Sequence, residues 1–142
     1  QIRHDAYYSI LNSRPGSTAL TTDVCVPISR LTQALEETID EINKSPISGP
    51  IVGHVGDGNF HAILLVEPGN KEELEQAKTL SNSMTQRALK LGGTVTGEHG
   101  IGIGKISYMK QEHGTAWNKM HLIKKSFDPQ NILNPGKMFQ SN

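Results

Sequence analysis

The sequence predicts an α+β fold in which an antiparallel sheet carries helices packed on one face. Two runs of β-branched and apolar residues flank the pair Asp57-Gly58, which is typical of a hairpin with a two-residue turn. Apolar residues at helical spacing mark two long amphipathic segments, residues 28–42 and 74–91. Strands joined by a hairpin and mixed with helices favour an antiparallel sheet over the parallel sheet of an α/β protein.

The first third of the chain predicts a helix, a strand and a second helix. Residues 1–11 have the pattern of a helix that is already under way, because no capping residue precedes it. Residues 19–27 are rich in Thr and Val and predict a strand. The helix of residues 28–42, with Ser29 as its predicted N-cap, ends at the prolines and glycines of residues 45–50.

The predicted hairpin brings two histidines together. Its strands are residues 50–55 and 60–66, and a type I′ turn at Asp57-Gly58 places His54 directly opposite His61. Directly opposed residues share a face of the sheet, with Cβ atoms about 4.5–5.5 Å apart. Two imidazoles in that arrangement can chelate one cation.

The second half of the chain predicts three further helices and little strand. The helix of residues 74–91 stops at a glycine pair, and a short strand then leads into a glycine-rich loop. The last helix carries four apolar residues on one face, and the chain after it is irregular. These features are, in order, Gly92-Gly93, the strand 94–96, the loop 97–104, a short helix from about Lys105, the helix with Trp117, Met120, Ile123 and Phe127 that ends at Asp128-Pro129, and the tail 131–139.

Composition excludes several classes of function. The chain has 142 residues, with 14 Lys and Arg against 14 Asp and Glu, so its zero net charge does not indicate a nucleic-acid surface. There is no apolar run near the roughly 18 residues of a transmembrane segment. Cys25 is the only cysteine, and its strand-like setting predicts a small buried hydrophobic side chain.

Glu98 and His99 complete a candidate active site. Two histidines and one carboxylate can hold a divalent cation and leave a position open for water or substrate, so Glu98 is the third predicted ligand beside His54 and His61. In an extended loop the adjacent His99 points elsewhere and can serve as a general base. Without the cation, the two histidines would be cross-strand neighbours on a polar face. The nearby glycines fit neither a P-loop nor a dinucleotide fingerprint.

Four motifs, in order along the chain, resemble the C-terminal domain of FAD-linked D-2-hydroxyacid dehydrogenases. The likeness covers residues 3–139, and the first motif looks most like the cytochrome-type D-lactate dehydrogenases of that family. The motifs are Thr22-Asp23-Val24-Cys25-Val26-Pro27-Ile28-Ser29-Arg30, Val52-Gly53-His54-Val55-Gly56-Asp57-Gly58-Asn59-Phe60-His61, Thr96-Gly97-Glu98-His99-Gly100-Ile101-Gly102 and Asn131-Ile132-Leu133-Asn134-Pro135-Gly136-Lys137.

The resemblance implies that residues 1–142 are a substrate-binding or cap domain. In the family a separate N-terminal domain, which this chain lacks, binds most of the FAD, so the chain alone is not expected to turn over. The family's metal ligands fall on His54, His61 and Glu98, and the metal is usually zinc or manganese. Its proposed base falls on His99. Its carboxylate-binding arginine falls on Arg3, and a position near the flavin falls on Asn134.

The resemblance also implies a substrate and an electron acceptor. The family's D-2-hydroxyglutarate enzymes carry a basic residue near the position of Thr21 and an asparagine at that of Ile63, so D-lactate or another D-2-hydroxy acid with an apolar tail is favoured here. The acceptor implied is cytochrome c or a quinone. The expected location is cytoplasmic or membrane-peripheral in a bacterium and mitochondrial in a eukaryote.

Four alternatives stay open at this point. Two lie close to the favoured function, namely a D-2-hydroxyglutarate or a glycolate dehydrogenase of the same family. A zinc-dependent hydrolase would use the same ligands with Glu98 or His99 as base and would need no flavin. A non-catalytic metal-binding interaction module would need the metal for folding alone.

Overall fold

A computed structural model describes residues 2–139, with side chains from Asp5 onward. The chain divides into two compact units, residues 1–98 and residues 99–142. The helices and strands of the first unit are α1 (Ile2–Asn12), β1 (Thr18–Thr21), β2 (Val24–Cys25), α2 (Ile28–Asn43), β3 (Ile51–His54), a 3₁₀ turn (Val55–Asp57), β4 (Asn59–Val66) and α3 (Lys71–Lys90). Among the described residues, no helix combines the length and the apolar character needed to cross a membrane.

Strand β4 is the centre of the sheet. It pairs antiparallel with β1 and β2 along one edge and with β3 along the other. It is paired on both edges, and all of its residues are buried. The predicted strand 19–27 corresponds to β1 and β2, which keep one register on β4 across the interruption at Thr22-Asp23.

The main core lies between the sheet and helices α2 and α3, which confirms the predicted α+β fold. Every second side chain of β4 points into it, and the two helices contribute small and aliphatic residues from their apolar stripes. The buried members of this core are Val24, Val26, Ala34, Ile42, Ile47, Phe60, Ala62, Leu64, Val66, Ala77, Leu80, Met84 and Ala88. The intervening β4 residues, which include His61 and Ile63, therefore face away from α2 and α3.

The predicted two-residue turn is wrong. His54 pairs with Asn59, while His61 pairs with Val52, so the connection has four residues and includes a 3₁₀ turn. A type I′ turn needs positive φ at both central residues, but only Gly58 of the pair has it (φ 75). Gly58 also accepts a hydrogen bond from the Val26 amide at 3.0 Å, and a Cβ on it would lie 2.0 Å from the Val26 carbonyl oxygen. Contact with the end of the neighbouring strand thus selects the longer loop.

Two smaller expectations also differ from the structure. Pro27 is the N-cap of α2, and no side chain caps that helix end, so the prediction for Ser29 is wrong. The predicted strand 94–96 is reduced to one bridge, in which Thr94 exchanges two backbone hydrogen bonds with Cys25. The Cys25 side chain is half-buried, and its thiol donates to the Asp57 carbonyl oxygen at 3.2 Å.

The second unit is helical. It contains a 3₁₀ turn (Ile106–Tyr108), α4 (Met109–His113) and α5 (Ala116–Phe127), as the sequence predicts. Helix α5 has no buried residue, and Phe127 at its end is 84% exposed. The following turn is held by the Asp128 carboxylate, which accepts hydrogen bonds from the amides of Ile132 and Leu133. The tail is therefore ordered around Asp128 although it forms no regular element.

An ion pair joins the end of α1 to the first turn of α3. The Arg14 guanidinium donates to both Glu73 carboxylate oxygens, at 2.8 and 2.9 Å, and the Glu67 amide donates to the same carboxylate. These hydrogen bonds, chiefly the one from Arg14, lower the pKa of Glu73 below its usual value. A lowered folded-state pKa stabilises the fold above the unfolded-state pKa of about 4.3, and that stabilisation is lost as pH falls through the folded-state value.

We expect Glu73→Gln to lower the melting temperature at pH 7, and the difference from wild type to shrink towards zero as the pH falls below about 4. Thermal unfolding followed by circular dichroism from pH 3 to pH 7 measures this. Glu72→Gln, an exposed residue in the same helical turn, is the matched control. A Glu73→Gln deficit that does not change with pH would contradict the ion-pair explanation.

Candidate metal centre

Three predicted ligands lie together in the first unit. The Glu98 Oε1 atom lies 3.0 Å from His61 Nε2 and 3.4 Å from His54 Nδ1. The two imidazole rings are 6.3 Å apart at their centroids and almost perpendicular, at 88°. One donor atom from each of the three residues lies within 4.8 Å of the other two. This is a group that one cation can bridge.

The two histidines share a face of the sheet although they are not directly opposed. His54 pairs with Asn59, which is two residues before His61 on β4. Residues offset by two across an antiparallel pair are diagonal neighbours on one face, within reach of long or aromatic side chains. The predicted register was wrong, but the predicted common face is correct, because a shift of two residues preserves the side of the sheet.

Thr22 orients the His61 ring. The Thr22 hydroxyl, rather than its carbonyl, accepts the Ala62 amide at 2.8 Å. The Thr22 carbonyl oxygen is then left to lie 3.0 Å from His61 Nδ1. Because a carbonyl can only accept, this contact requires the proton of a neutral imidazole on Nδ1, and the lone pair is then on Nε2, the nitrogen nearest Glu98.

Glu98 is placed by a short loop that packs tightly on β4. A Cβ atom on Gly97 would lie 1.7 Å from Asn59 Nδ2, so only glycine allows this approach. The Asp23 carboxylate accepts hydrogen bonds from the Gly97 and Glu98 amides, at 2.9 and 3.2 Å. These hydrogen bonds therefore fix the loop backbone up to the residue that carries the Glu98 side chain.

The site fits a divalent cation. The His54 Nδ1 atom is buried and has no hydrogen-bond partner within the described part of the chain, and leaving such an atom unsatisfied is costly. The exposure of the three side chains increases from 7% for His61 to 27% for His54 and 48% for Glu98. A cation would satisfy the buried nitrogen, and the open side at Glu98 would leave room for a further ligand.

Three further predicted site residues were not predicted as ligands of the cation. His99 is exposed and is the first residue of the second unit. Asn134 is an exposed residue of the second unit with positive φ (48°). The side chain of Arg3 lies outside the described residues. The roles of these residues therefore stay predictions.

Sequence reasoning missed Thr22 and Asp23 as parts of the site. Both are buried, at 4% exposure, in a segment predicted only as strand. The signal that could have found them is a pair of adjacent polar residues within a run of Val and Thr. An aspartate is rare in a strand that is buried on both faces, so its presence indicates a specific role. Asn59, which is buried at 5% exposure, lies within the motif of residues 52–61, but the sequence predicted no role for it.

Comparison with known proteins identifies the family. The family described as FAD linked oxidases, C-terminal domain, matches residues 1–138. The chain belongs to this family. It is 46% identical to a probable mitochondrial D-lactate dehydrogenase of Danio rerio, over 97% of the chain and 28% of that protein.

Further relatives carry two different substrate names. A mitochondrial D-lactate dehydrogenase of the cytochrome type from Arabidopsis thaliana is 40% identical over 97% of the chain and 24% of its own length. A glycolate oxidase subunit from Bacillus subtilis (strain 168) is 36% identical over 98% of the chain and 29% of its own length. The chain thus spans about a quarter of the relatives it matches, and the family resemblance drawn from the motifs is confirmed.

We expect Gly97→Ala to destabilise the protein by about 1–3 kcal/mol, as overpacking does in a close-packed site, because the new Cβ would overlap Asn59. Urea denaturation measures the change. Gly56→Ala is the matched control, since a Cβ there meets nothing within 4 Å. Equal losses of stability in the two variants would contradict the tight approach of the loop to β4.

Proposed function

We propose that this chain is the C-terminal, substrate- and metal-binding part of an FAD-dependent dehydrogenase that oxidises D-lactate, or a similar D-2-hydroxy acid, to the 2-oxo acid. The observation that carries the proposal is the grouping of His54, His61 and Glu98 within 4.8 Å, in a member of the FAD-linked oxidase family. An open two-histidine, one-carboxylate site suits a substrate with adjacent hydroxyl and carboxylate oxygens.

His54, His61 and Glu98 would hold the divalent cation, zinc or manganese. When bound, it supplies a positive charge that polarises the substrate hydroxyl and carboxylate oxygens. The neutral tautomer of His61 and the ionised Glu98 are the states that a cation requires of its ligands. The hydrogen bond to Thr22 sets that tautomer in advance.

His99 and Arg3 would act on the substrate itself. His99 would take the proton of the 2-hydroxyl, because an imidazole nitrogen can act as a general base. Arg3 pairs its planar guanidinium with the substrate carboxylate and so fixes the direction of the C2–H bond. FAD would be held mainly by a preceding domain, with Asn134 near the flavin, and would supply the acceptor for the C2 hydride. The hydroxy acid thereby loses one proton and one hydride and becomes the 2-oxo acid.

Thr21 and Ile63 support a substrate with a small apolar tail. They are directly paired between β1 and β4, and Ile63 lies two residues after His61 on the same face of β4. Ile63 is 2% exposed and has no group that could pair with a charge. A second substrate carboxylate beside it would lose its hydration without compensation, which is costly.

The relatives' names support a cytochrome as electron acceptor and a mitochondrial location. The Arabidopsis thaliana relative is named as a cytochrome-type enzyme, and it and the Danio rerio relative are named as mitochondrial. We therefore propose that a eukaryotic source would place this protein in mitochondria, with cytochrome c or a quinone as the acceptor.

Anaerobic flavin bleaching tests the proposed function. In the flavin-containing protein, we expect rapid bleaching by D-lactate and a loss of roughly 100-fold or more in rate after chelation, because metal polarisation contributes several kcal/mol and about 1.4 kcal/mol is a factor of ten. Stopped-flow absorbance follows the flavin, and added zinc or manganese should restore the rate.

Other 2-hydroxy acids serve as controls in the same assay. L-lactate should leave the flavin oxidised, and D-2-hydroxyglutarate should bleach it slowly. Faster bleaching by glycolate than by D-lactate would indicate that glycolate, as in the name of the glycolate oxidase relative, is the substrate. No bleaching by any of the four acids would overturn the proposed function.

A double substitution tests the proposed substrate preference. We expect Thr21→Lys with Ile63→Asn to lower kcat/KM for D-lactate and raise it for D-2-hydroxyglutarate, shifting the ratio by roughly 100-fold, because the new polar groups can pair with a second carboxylate. Thr18→Lys, the same change at the far end of β1, is the matched control. An unchanged ratio in the double variant would show that these residues do not face the substrate.

A further inference from the structure

We propose that Asp23 is the positioning residue that holds Glu98 in the metal centre, an inference that rests on the proposed function. Asp23 is not needed as a ligand for this role. Its carboxylate connects the loop that carries Glu98 to the central strand that carries His61. Asp23 therefore sets the separation between the proposed carboxylate ligand, Glu98, and the proposed imidazole ligand, His61.

The contacts of Asp23 converge on that loop. Its Oδ2 atom accepts hydrogen bonds from the Thr96 hydroxyl at 2.7 Å, the Gly97 amide at 2.9 Å and the Glu98 amide at 3.2 Å. Three consecutive residues are thus tied to one oxygen. Charge-assisted hydrogen bonds of this kind are stronger than neutral ones, so the loop conformation depends on the carboxylate.

The other oxygen of Asp23 is tied to β4. Oδ1 accepts a hydrogen bond from Asn59 Nδ2 at 2.8 Å, and Asn59 Nδ2 also donates to the Val24 carbonyl oxygen. Oδ1 lies 3.6 Å from His61 Nδ1. Since Thr21 pairs with Ile63 and Val24 with Phe60, the same register places Asp23 opposite His61. One buried side chain therefore contacts both sides of the centre.

Because Asp23 is buried, its carboxylate depends on these hydrogen bonds. Asp23 is 4% exposed, and a buried carboxylate is tolerated only where hydrogen-bond donors replace its hydration. The Glu98 side chain is by contrast half-exposed, and its carboxylate reaches His54 and His61 from the backbone position that Asp23 holds. Removing the Asp23 acceptor would release the backbone of residues 96–98, and partners that orient metal ligands typically change metal affinity by about 10–100-fold.

The test measures Mn²⁺ affinity of the flavin-containing protein by electron paramagnetic resonance of the free ion. We expect Asp23→Asn to weaken Mn²⁺ binding by about 10–100-fold. An asparagine amide keeps the size of the side chain, but its NH₂ group would face the donors of either the loop or Asn59. Thr96→Val, which removes one donor and keeps the side-chain shape, should weaken binding by a smaller factor.

A core variant separates positioning from general instability. Leu80→Ala removes a buried side chain of α3 that packs in the main core, so it lowers the melting temperature and should leave Mn²⁺ affinity unchanged. Thermal unfolding of each metal-free variant verifies that it is folded at the temperature of the titration.

Three results would overturn the inference. Wild-type affinity in both Asp23→Asn and Thr96→Val would show that Asp23 does not position the centre. An equal loss of Mn²⁺ affinity in Leu80→Ala would show that Asp23→Asn acts through general stability and not through positioning. No Mn²⁺ or Zn²⁺ binding by the wild-type protein would overturn the proposed function first, and this inference with it.

Discussion

The fold and the candidate site both depend on the complete burial of β4. This strand is paired on both edges and buried along its whole length. Every second residue must pack against α2 and α3, so a shift of one residue would place His61 in the apolar core and Ala62 in the site. The packing of the core thereby sets the direction of His61, a proposed metal ligand that contributes nothing to that core.

The polar side of the sheet is organised from two adjacent residues of the neighbouring strand. The Thr22 amide still donates to the Ala62 carbonyl oxygen, but the Thr22 hydroxyl replaces the Thr22 carbonyl as acceptor of the Ala62 amide, which leaves that carbonyl for His61. Asp23, the next residue, binds the loop that ends in Glu98. A local departure from regular pairing thus supports both kinds of ligand. Buried polar groups are stable in such a network only when nearly all of them have partners, which explains why the arrangement is compact.

The open end of the network is where chemistry is expected. Within the part of the chain that the structure describes, buried His54 Nδ1 lies 3.4 Å from Glu98 Oε1 but forms no hydrogen bond, and Glu98 is the most exposed of the three proposed ligands. A structure built for stability alone would pair that nitrogen or expose it to water. We infer that the unsatisfied nitrogen and the open carboxylate are the features reserved for a cation and its substrate.

Much of this could be predicted from the sequence, for identifiable reasons. The helical spacing of α2 and α3 and the apolar run of β4 depend on local periodicity, so these elements and the α+β fold were predicted correctly. The common face of His54 and His61 was also predictable. The four-residue turn was not, because it depends on a contact between Gly58 and Val26 that no local pattern encodes. The roles of Thr22 and Asp23 were missed for the same reason, since their partners are distant in sequence.

We propose that His54, His61 and Glu98 together bind one divalent cation that contacts the substrate. X-ray absorption spectroscopy of the zinc-loaded, flavin-containing protein tests it most directly, with and without the 2-oxo acid product. We predict two imidazole nitrogens with carboxylate oxygen at about 2.0–2.2 Å, and an altered oxygen shell when the product is added. A spectrum without imidazole scattering, or one that does not change with the product, would contradict the account.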